Sequence, residues 1–547
     1  MAKPTLVIVP FLLLVLDFWP LRRFERSAAG RVTSGAAGPP SAAPGQTASA
    51  TPAARVHPRK APIRPLPGGL EPSFALLPVH RLLLEKAPLL IPVVFSCVVT
   101  ILGHQSTHNL PGLKEIPVSL RVANGFVSYL RYAGKAIWPS HLAVWYPYPA
   151  GWPAWLVGLS IGFLLIVSAL ALTWRVSRPW FLAGWLWFIG GLVPVIGIVQ
   201  ASNQSMADRF AYLPMIGFFI PLVWGLPAGL ARWRHRAVAL PLIAVASLTA
   251  ALVLTSIQLQ YWRDTVTLCR HALAVTTHNY KIQHILGYTL SSSGEVDEGI
   301  ALLTEAVREK PDYAEAHNDL GVALARAGKM DEAIAQFTEA VREKPDLVDT
   351  HYNLGRALAI RGKTGEAISQ FEATLRLVPD HADAHFSLAN VLLSQSHTNQ
   401  AESHYSAALQ ANPNLMDAYD RLGRLLAAQG RTSEVIELWQ KALRIQPDVP
   451  KLLNNLAWLF ATHPDARFRN GAEAIRRASR AVQLTQRSDG QAMDTLAAAY
   501  AEGGRFAEAV ETAQAALTLA ESAGQKEAAA QVRRRVQLYQ SGQPYRE

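Results

Sequence analysis

Four carboxylates recur at a constant interval in the second half of the chain: Glu315, Asp349, Asp383 and Asp417, each 34 residues after the last. Groups held in such a register form a row, and a row of carboxylates can read a basic peptide. The same residues also fit a structural role, because a carboxylate at the start of a helix is stabilised by the positive end of the helix dipole. Arg326, Arg356 and Arg424 either point into the same surface or are solvated helix exterior. A different constellation, Asp208 and Arg209 with Tyr212, stands in "MADRFAYLP" at the head of an apolar run. There Arg and Tyr suit the membrane interface, with a local ion pair. His104 and His108 lie upstream as head-group contacts or as solvated side chains.

The familiar catalytic motifs are missing. There is no GxxxxGK[ST], no GxGxxG after a strand, no GxSxG and no HExxH among the 16 histidines. The two cysteines, Cys97 and Cys269, form no CxxC or Cys/His metal spacing. The chain is basic, with net charge +11 and an isoelectric point near 9.6. Much of that excess flanks apolar runs, which points to membrane topology and away from nucleic acid.

At 547 residues the chain is too long for one ordinary core, and its two halves differ. Spanning a bilayer as a helix takes about 20 apolar residues. Six runs qualify, near 4–20, 87–103, 152–173, 180–200, 209–231 and 237–258. The first ends in Asp17, Trp19 and Pro20 without a small-residue cleavage site, so it reads as a span, with Asp17 as a structural or capping residue. Lys and Arg crowd 21–86, Arg175 with Arg178, and "RWRHR" at 232–236, while 201–208 has none. The basic loops therefore face the cytoplasm and everything after 258 emerges outside, which in a bacterial inner membrane is the periplasm. A Pro/Ala-rich linker, 27–80, is expected to be disordered. Within the outer segment 104–150, "RVANGFVSYLRYAGKAIW" has the pattern of an interfacial amphipathic helix, with a seventh span as the alternative.

The second half repeats. Leu286–Gly287, Leu320–Gly321, Leu354–Gly355, Leu388–Ala389, Leu422–Gly423 and Leu456–Ala457 recur every 34 residues. In register with them run Leu303, Phe337, Phe371, Tyr405 and Trp439, and then Pro311, Pro345, Pro379, Pro413 and Pro447. This resembles the tetratricopeptide repeat (TPR), a helical hairpin that stacks into a solenoid. About seven repeats are expected, interrupted by "THPDARFRN" and closed by a more polar helix. The resemblance implies a groove lined by the first helix of each hairpin, taking a protein or peptide.

Four further stretches carry a second resemblance: "AKPTLVIVPFLLLVLDFWPLRRF" (2–24), "RVANGFVSYLRYAGKAIWPSHLAVWYPYP" (121–149), "QSMADRFAYLPMIGFF" (204–219) and "YWRDTVTLCRHAL" (261–273). With the repeats they resemble the transmembrane-and-TPR O-mannosyltransferases, within the GT-C class of glycosyltransferases. The resemblance implies an all-α chain: a first span at 1–26, the linker 27–80, a membrane domain over 81–262 and a TPR solenoid over 263–547. It implies protein O-glycosylation from a polyprenyl-phosphate sugar at the outer face, with Arg209, aided by Asp208 and Tyr212, at the donor phosphate. Its catalytic or metal-binding carboxylate belongs on an outer loop ahead of the "AKP" stretch. Here the outer loops offer only Glu115 and Asp208. No catalytic residue, metal or other cofactor is therefore assigned to this chain, a divalent metal is left to a longer relative, and no transfer by this chain alone is expected. The alternative is a non-catalytic membrane-anchored TPR scaffold.

Overall fold

The computed structural model describes residues 9–20, 79–89, 91, 95, 116–196 and 204–547. The expected linker at 27–80, the span at 87–103, Cys97, His104, His108 and Glu115 lie wholly or mostly outside these residues. The chain divides into two units, Met1–Ile282 and Gln283–Glu547, and the described residues form helices with no named strand.

In the first unit, α1 (Val9–Phe18), α2 (Val79–Lys86), α3 (Val118–Ile137), α4 (Ala154–Thr173), α5 (Pro179–Leu192), α6 (Tyr212–Gly229), α7 (Arg236–Tyr261) and α8 (Thr265–Val275) follow in order. Three are long and apolar enough to cross a membrane: α4 with 20 residues, α6 with 18 and α7 with 26. None of the residues of α7 is buried in the protein, and Val238, Leu242, Leu248 and Leu252 are each more than 60% exposed. An apolar surface of that extent is stable only against lipid or another protein. The run expected to span 180–200 differs. Its helix is 14 residues, about 21 Å at ~1.5 Å per residue, shorter than a ~30 Å hydrocarbon core. Pro194 has no N–H to continue the ladder, and Val193 closes a turn onto the Gly190 carbonyl instead.

Small residues let α5 and α6 approach closely. A Cβ placed on Gly184 would lie 2.4 Å from Pro221 Cδ, and one on Gly217 would lie 2.5 Å from the Phe188 nitrogen. Such close backbone contact is how membrane helices gain packing energy without a hydrophobic drive. Phe11 of α1 fills the space over Gly190. Asp17 forms a buried ion pair with Lys86 at 2.8 Å, tying α1 to α2.

The second unit is a stack of antiparallel hairpins: α9 (Tyr280–Ser293) with α10 (Val296–Glu309), α11 (Ala314–Arg326) with α12 (Met330–Glu343), and α13 (Val348–Ile360) with α14 (Thr364–Leu377). Then come α15 (Ala382–Ser394) with α16 (Thr398–Ala411), α17 (Met416–Ala428) with α18 (Thr432–Ile445), α19 (Pro450–Thr462) with α20 (Gly471–Leu484), and α21 (Gly490–Glu502) with α22 (Phe506–Ser522). The helix α23 (Lys526–Gln540) follows the last hairpin. In four hairpins a glycine of the first helix faces a large residue of the second: Gly287 with Leu303, Gly321 with Phe337, Gly355 with Phe371 and Gly423 with Trp439. A Cβ on Gly321 would sit 2.6 Å from Phe337, and one on Gly423 would sit 2.1 Å from Trp439 Nε1. Lys310, Lys344, Val378, Asn412 and Gln446 leave the helical region just before the repeated prolines, whose rings exclude that conformation from the preceding residue. Gly328, at φ +78, makes the tight turn inside its hairpin. His317, His351 and His385 clasp the turns: each Nε2 meets a proline carbonyl (Pro311, Pro345, Pro379) at 2.9–3.0 Å.

Candidate functional site

The first unit concentrates polar chemistry at the head of α6. Asp208 Oδ2 accepts from the Tyr146 hydroxyl at 2.6 Å and from the Ala143 amide at 3.2 Å, and it lies 3.5 Å from Lys135 Nζ. Lys135 also donates to Tyr146 at 2.5 Å and to the His141 carbonyl at 2.9 Å. One turn earlier on α3, the Arg131 guanidinium stands 5.4 Å over the rings of both Tyr146 and Trp152. The backbone supports this cluster, with an antiparallel bridge joining Tyr146 to Met206. Tyr132 clamps Ala207 by donating to its carbonyl and accepting from its amide. Asn124 donates to the Ile196 and Ser205 carbonyls. So the buried side of the amphipathic helix α3 is polar as well as apolar, and it is fastened to the membrane unit by side-chain hydrogen bonds.

Burial lowers the pKa of Arg131 and of Lys135, with Asp208 opposing the effect in both. Burial raises that of Tyr146, and the Asp208 carboxylate adds to it. Tyr146 therefore stays a neutral donor to Asp208.

Of the three residues singled out in the sequence here, Asp208 is held inside the cluster, Arg209 donates to the Val144 carbonyl at 2.9 Å, and Tyr212 is 79% exposed. The structure joins Asp208 to Arg131, Lys135 and Tyr146, which sequence reading did not single out as site residues. A signal was present, since Arg131 and Lys135 are four apart and must share one face of a helix. The cluster carries three cations against one carboxylate, which suits an anion. Among the described residues no group of three His, Cys, Asp or Glu side chains could hold a metal. Cys269 is buried, and burial pushes its thiol up to about 11, so it is a poor nucleophile.

In the second unit the recurring acids all occupy the first turns of α11, α13, α15 and α17. Glu315 accepts from Lys344 at 3.0 Å; burial acts to raise its pKa, but the Lys344 hydrogen bond prevails and holds it below the usual carboxylate range. Asp349 and Asp383 are exposed, and Asp417 lies 3.9 Å from Lys451. Arg326 donates to the Ser291 carbonyl, Arg356 lies 5.7 Å over Tyr352, and Arg424 pairs with Asp420 at 3.0 Å. The row is therefore composed of individually paired or solvated groups.

A further polar cluster lies along the stack, and of its members only Arg424 was singled out in the sequence. Asp420, buried, receives Arg424, Lys451 at 2.7 Å and Asn455 at 2.7 Å. Two hairpins on from Asp420, Asp494 and Arg535 form a buried two-bond pair, Nε to Oδ1 at 3.0 Å and Nη2 to Oδ2 at 2.6 Å. Burial raises the Asp494 pKa and Arg535 opposes it. Between these clusters opens a cavity of about 830 Å³, lined by Arg424, Asn455, Trp458, His463, Asp494 and Arg535 among others. Its walls come chiefly from the first helices α17, α19 and α21 and from α23, which makes it part of the groove face. Asp420 and Asn455 could have been found from their separation, one repeat plus one residue, which places them side by side on neighbouring first helices.

The tetratricopeptide-repeat profile matches residues 286–347, 352–415 and 388–450. Among curated proteins, the chain is 30% identical over 126 residues to Protein O-mannosyl-transferase Tmtc2 of Drosophila melanogaster, covering 23% of this chain and 13% of that protein. It is 28% identical over 159 residues to Protein O-mannosyl-transferase TMTC1 of Homo sapiens, covering 29% and 18% respectively. The chain thus spans less than a fifth of the length of either relative. Among solved structures, MamA protein is 22% identical with a TM-score of 0.29, over 30% of this chain and 91% of that one. YrrB, titled a TPR protein with an unusual peptide-binding site, is 22% identical with a TM-score of 0.31, over 34% and 96%. The chain is a tetratricopeptide-repeat protein that carries apolar helices of membrane length and is similar, over part of its length, to protein O-mannosyl-transferases.

Proposed function

We propose that this protein serves protein O-glycosylation at the outer face of a membrane, with its TPR groove presenting an acceptor protein to a polyprenyl-phosphate sugar. The observation that carries this reading is the union, in one chain, of a polar groove face and membrane-length apolar helices, together with the similarity to O-mannosyl-transferases. The excess of cations at the head of α6, Arg131, Lys135 and Arg209 against Asp208, favours a lipid-linked phosphate there. The exposure of Tyr212 on the first turn of α6 supports a head-group contact in this reading.

A second reading, a non-catalytic anchored scaffold, is favoured by Asp208 itself. Its Oδ2 accepts from Tyr146 and Ala143 and faces Lys135, so that oxygen is already engaged and not open to a sugar-acceptor hydroxyl.

The test places a photo-crosslinking amino acid at Arg356, exposed on first helix α13, and a control at Glu372, exposed on second helix α14. Proteins crosslinked through position 356 in native membranes are analysed for O-linked hexose, with the gene present and deleted. The reading expects capture at 356 above 372, and lower hexose occupancy on the captured proteins after deletion. Unchanged occupancy leaves the scaffold, and no capture at 356 removes groove presentation altogether.

A further inference from the structure

The segment after α23 does not leave the solenoid. Gly542, at φ +69, turns the chain, and the Gln543 amide caps the helix by donating to the Leu538 carbonyl at 3.0 Å. The next residues then run back across the groove face of α19. Tyr545 packs on Trp458 with ring centroids 5.9 Å apart, and the Arg535 guanidinium lies over both rings, 5.3 and 5.4 Å from their centroids. Arg546 pairs with Glu502 at 2.6 Å and donates to the Ala461 carbonyl at 3.3 Å. Glu547 is held twice: its amide donates to the Thr462 carbonyl at 3.0 Å, and its carboxylate accepts from Trp458 Nε1 at 2.9 Å.

This is how a peptide ligand is bound, with a main-chain hydrogen bond for register and side chains in separate subsites for specificity. Trp458 occupies the register position that is Arg356, Asn390 and Arg424 in the three preceding hairpins, 34 residues apart. The segment therefore sits in register with Arg356 and Arg424, two of the residues expected to face the groove. It fills only one rim of the 830 Å³ cavity, which continues past Glu547 to Arg424 and His463.

We infer that the groove face at α19–α23 is a binding site for an extended protein segment bearing an aromatic residue followed closely by a carboxylate, and that residues 543–547 occupy this site in cis until such a partner displaces them. The inference rests on the groove-presentation reading and adds its regulation. The partner's aromatic ring takes the place of Tyr545 against Trp458 and Arg535. Its carboxylate takes the place of Glu547 at the Trp458 indole, and the cavity toward Arg424 accepts the partner residues beyond that carboxylate.

The test uses the full-length protein in detergent and a fluorescent peptide of residues 541–547, SGQPYRE. A tethered segment competes at an effective concentration of order millimolar, so the untouched protein is expected to bind the free peptide at least about tenfold more weakly than a Tyr545→Ala/Arg546→Ala variant. Gly542→Val, which changes the turn and leaves the groove whole, is expected to act in the same direction. A control peptide with alanine for tyrosine, SGQPARE, is expected to lose binding to every variant. Equal affinity for all three proteins overturns the inference, as does the absence of binding to any of them up to about 1 mM. Crosslinking through position 356 separates the two proposals. If it captures acceptors equally in the untouched and Tyr545→Ala/Arg546→Ala proteins, the strap is refuted and groove presentation stands.

Discussion

Arg535→Met removes one half of the buried pair and leaves the other in place. Both side chains are 9% exposed, so Asp494 would keep its charge in a site with little water. Breaking a pair of this kind costs about 3 kcal/mol or more at neutral pH. At ~1.4 kcal/mol per factor of ten, that is about a hundredfold more frequent opening of the last hairpin. The assay is hydrogen exchange of the α21 and α23 amides in the full-length protein, corrected for intrinsic rates at each pH. Asp494 already has a raised pKa from burial, opposed by Arg535. An acid whose folded pKa lies above its unfolded value holds its proton more tightly when folded. Its unfavourable contribution is absent below the ordinary value near ~4 and grows as pH rises through the folded pKa. Removing Arg535 takes away the opposing charge and moves that folded pKa further up. The cost of Arg535→Met should therefore be small in acid and increase toward pH 8. The double variant Asp494→Leu/Arg535→Met should recover to within about 1 kcal/mol of the parent, because a buried pair replaced by apolar side chains is near neutral. Contacts of Arg535 with Trp458 and Tyr545 are lost in both variants, so the difference between them isolates the stranded carboxylate. The reasoning fails if Arg535→Met costs the same at pH 5 and pH 8, or if the double variant is no better than the single.

Three further outcomes are expected. Gly423→Ala forces Trp439 to move, breaking its hydrogen bond to the Tyr419 carbonyl at 3.1 Å, and should cost roughly 1–3 kcal/mol, read as a lower melting midpoint and a changed tryptophan emission. His404 has its pKa lowered by burial, with the facing His385, 2.9 Å away, adding to the effect, so stability of α15 and α16 should fall as pH drops from its ordinary value near ~6.5, and His404→Leu should flatten that slope in hydrogen exchange. Tyr146→Phe leaves Asp208 and Lys135 without their shared hydroxyl and should lower the thermal stability of the detergent-solubilised protein by about 1–3 kcal/mol, whereas Tyr212→Phe, at an exposed position, should leave it unchanged.

The all-α class and the repeats were legible because both rest on local periodicity. Gly321 opposite Phe337 and the prolines that close the first five hairpins answer local steric demands of a close-packed helix pair, so they show in spacing alone. The length of α5 was not legible. An apolar count through 180–200 registers hydrophobicity and ignores Pro194, which ends the helix by taking away one donor. The cluster around Asp208 was also hidden, because Lys135 and Tyr146 lie 73 and 62 residues from it and no pattern in sequence joins them. Only Arg131 and Lys135, one turn apart on one helix, carried a readable hint.

The row of acids shows why a sequence register alone underdetermines chemistry. Glu315, Asp349, Asp383 and Asp417 share one position, yet Glu315 is tied to Lys344 while Asp349 and Asp383 face solvent. First-turn placement explains all four by the helix dipole, and it says nothing about a ligand. The row that ends in Trp458 is different, because its chemistry changes along the stack and a piece of the chain itself is seated on its last member. There the groove offers an indole N–H and a backbone carbonyl from α19 and a guanidinium face from α23, each engaged by Tyr545 or Glu547. A ligand that bound only the solvated acids would gain little, since exposed ion pairs are worth about 0–1 kcal/mol. One that displaced the strap would inherit the aromatic and main-chain contacts at Trp458 and Thr462, and so the strength of binding should be set at that end of the groove.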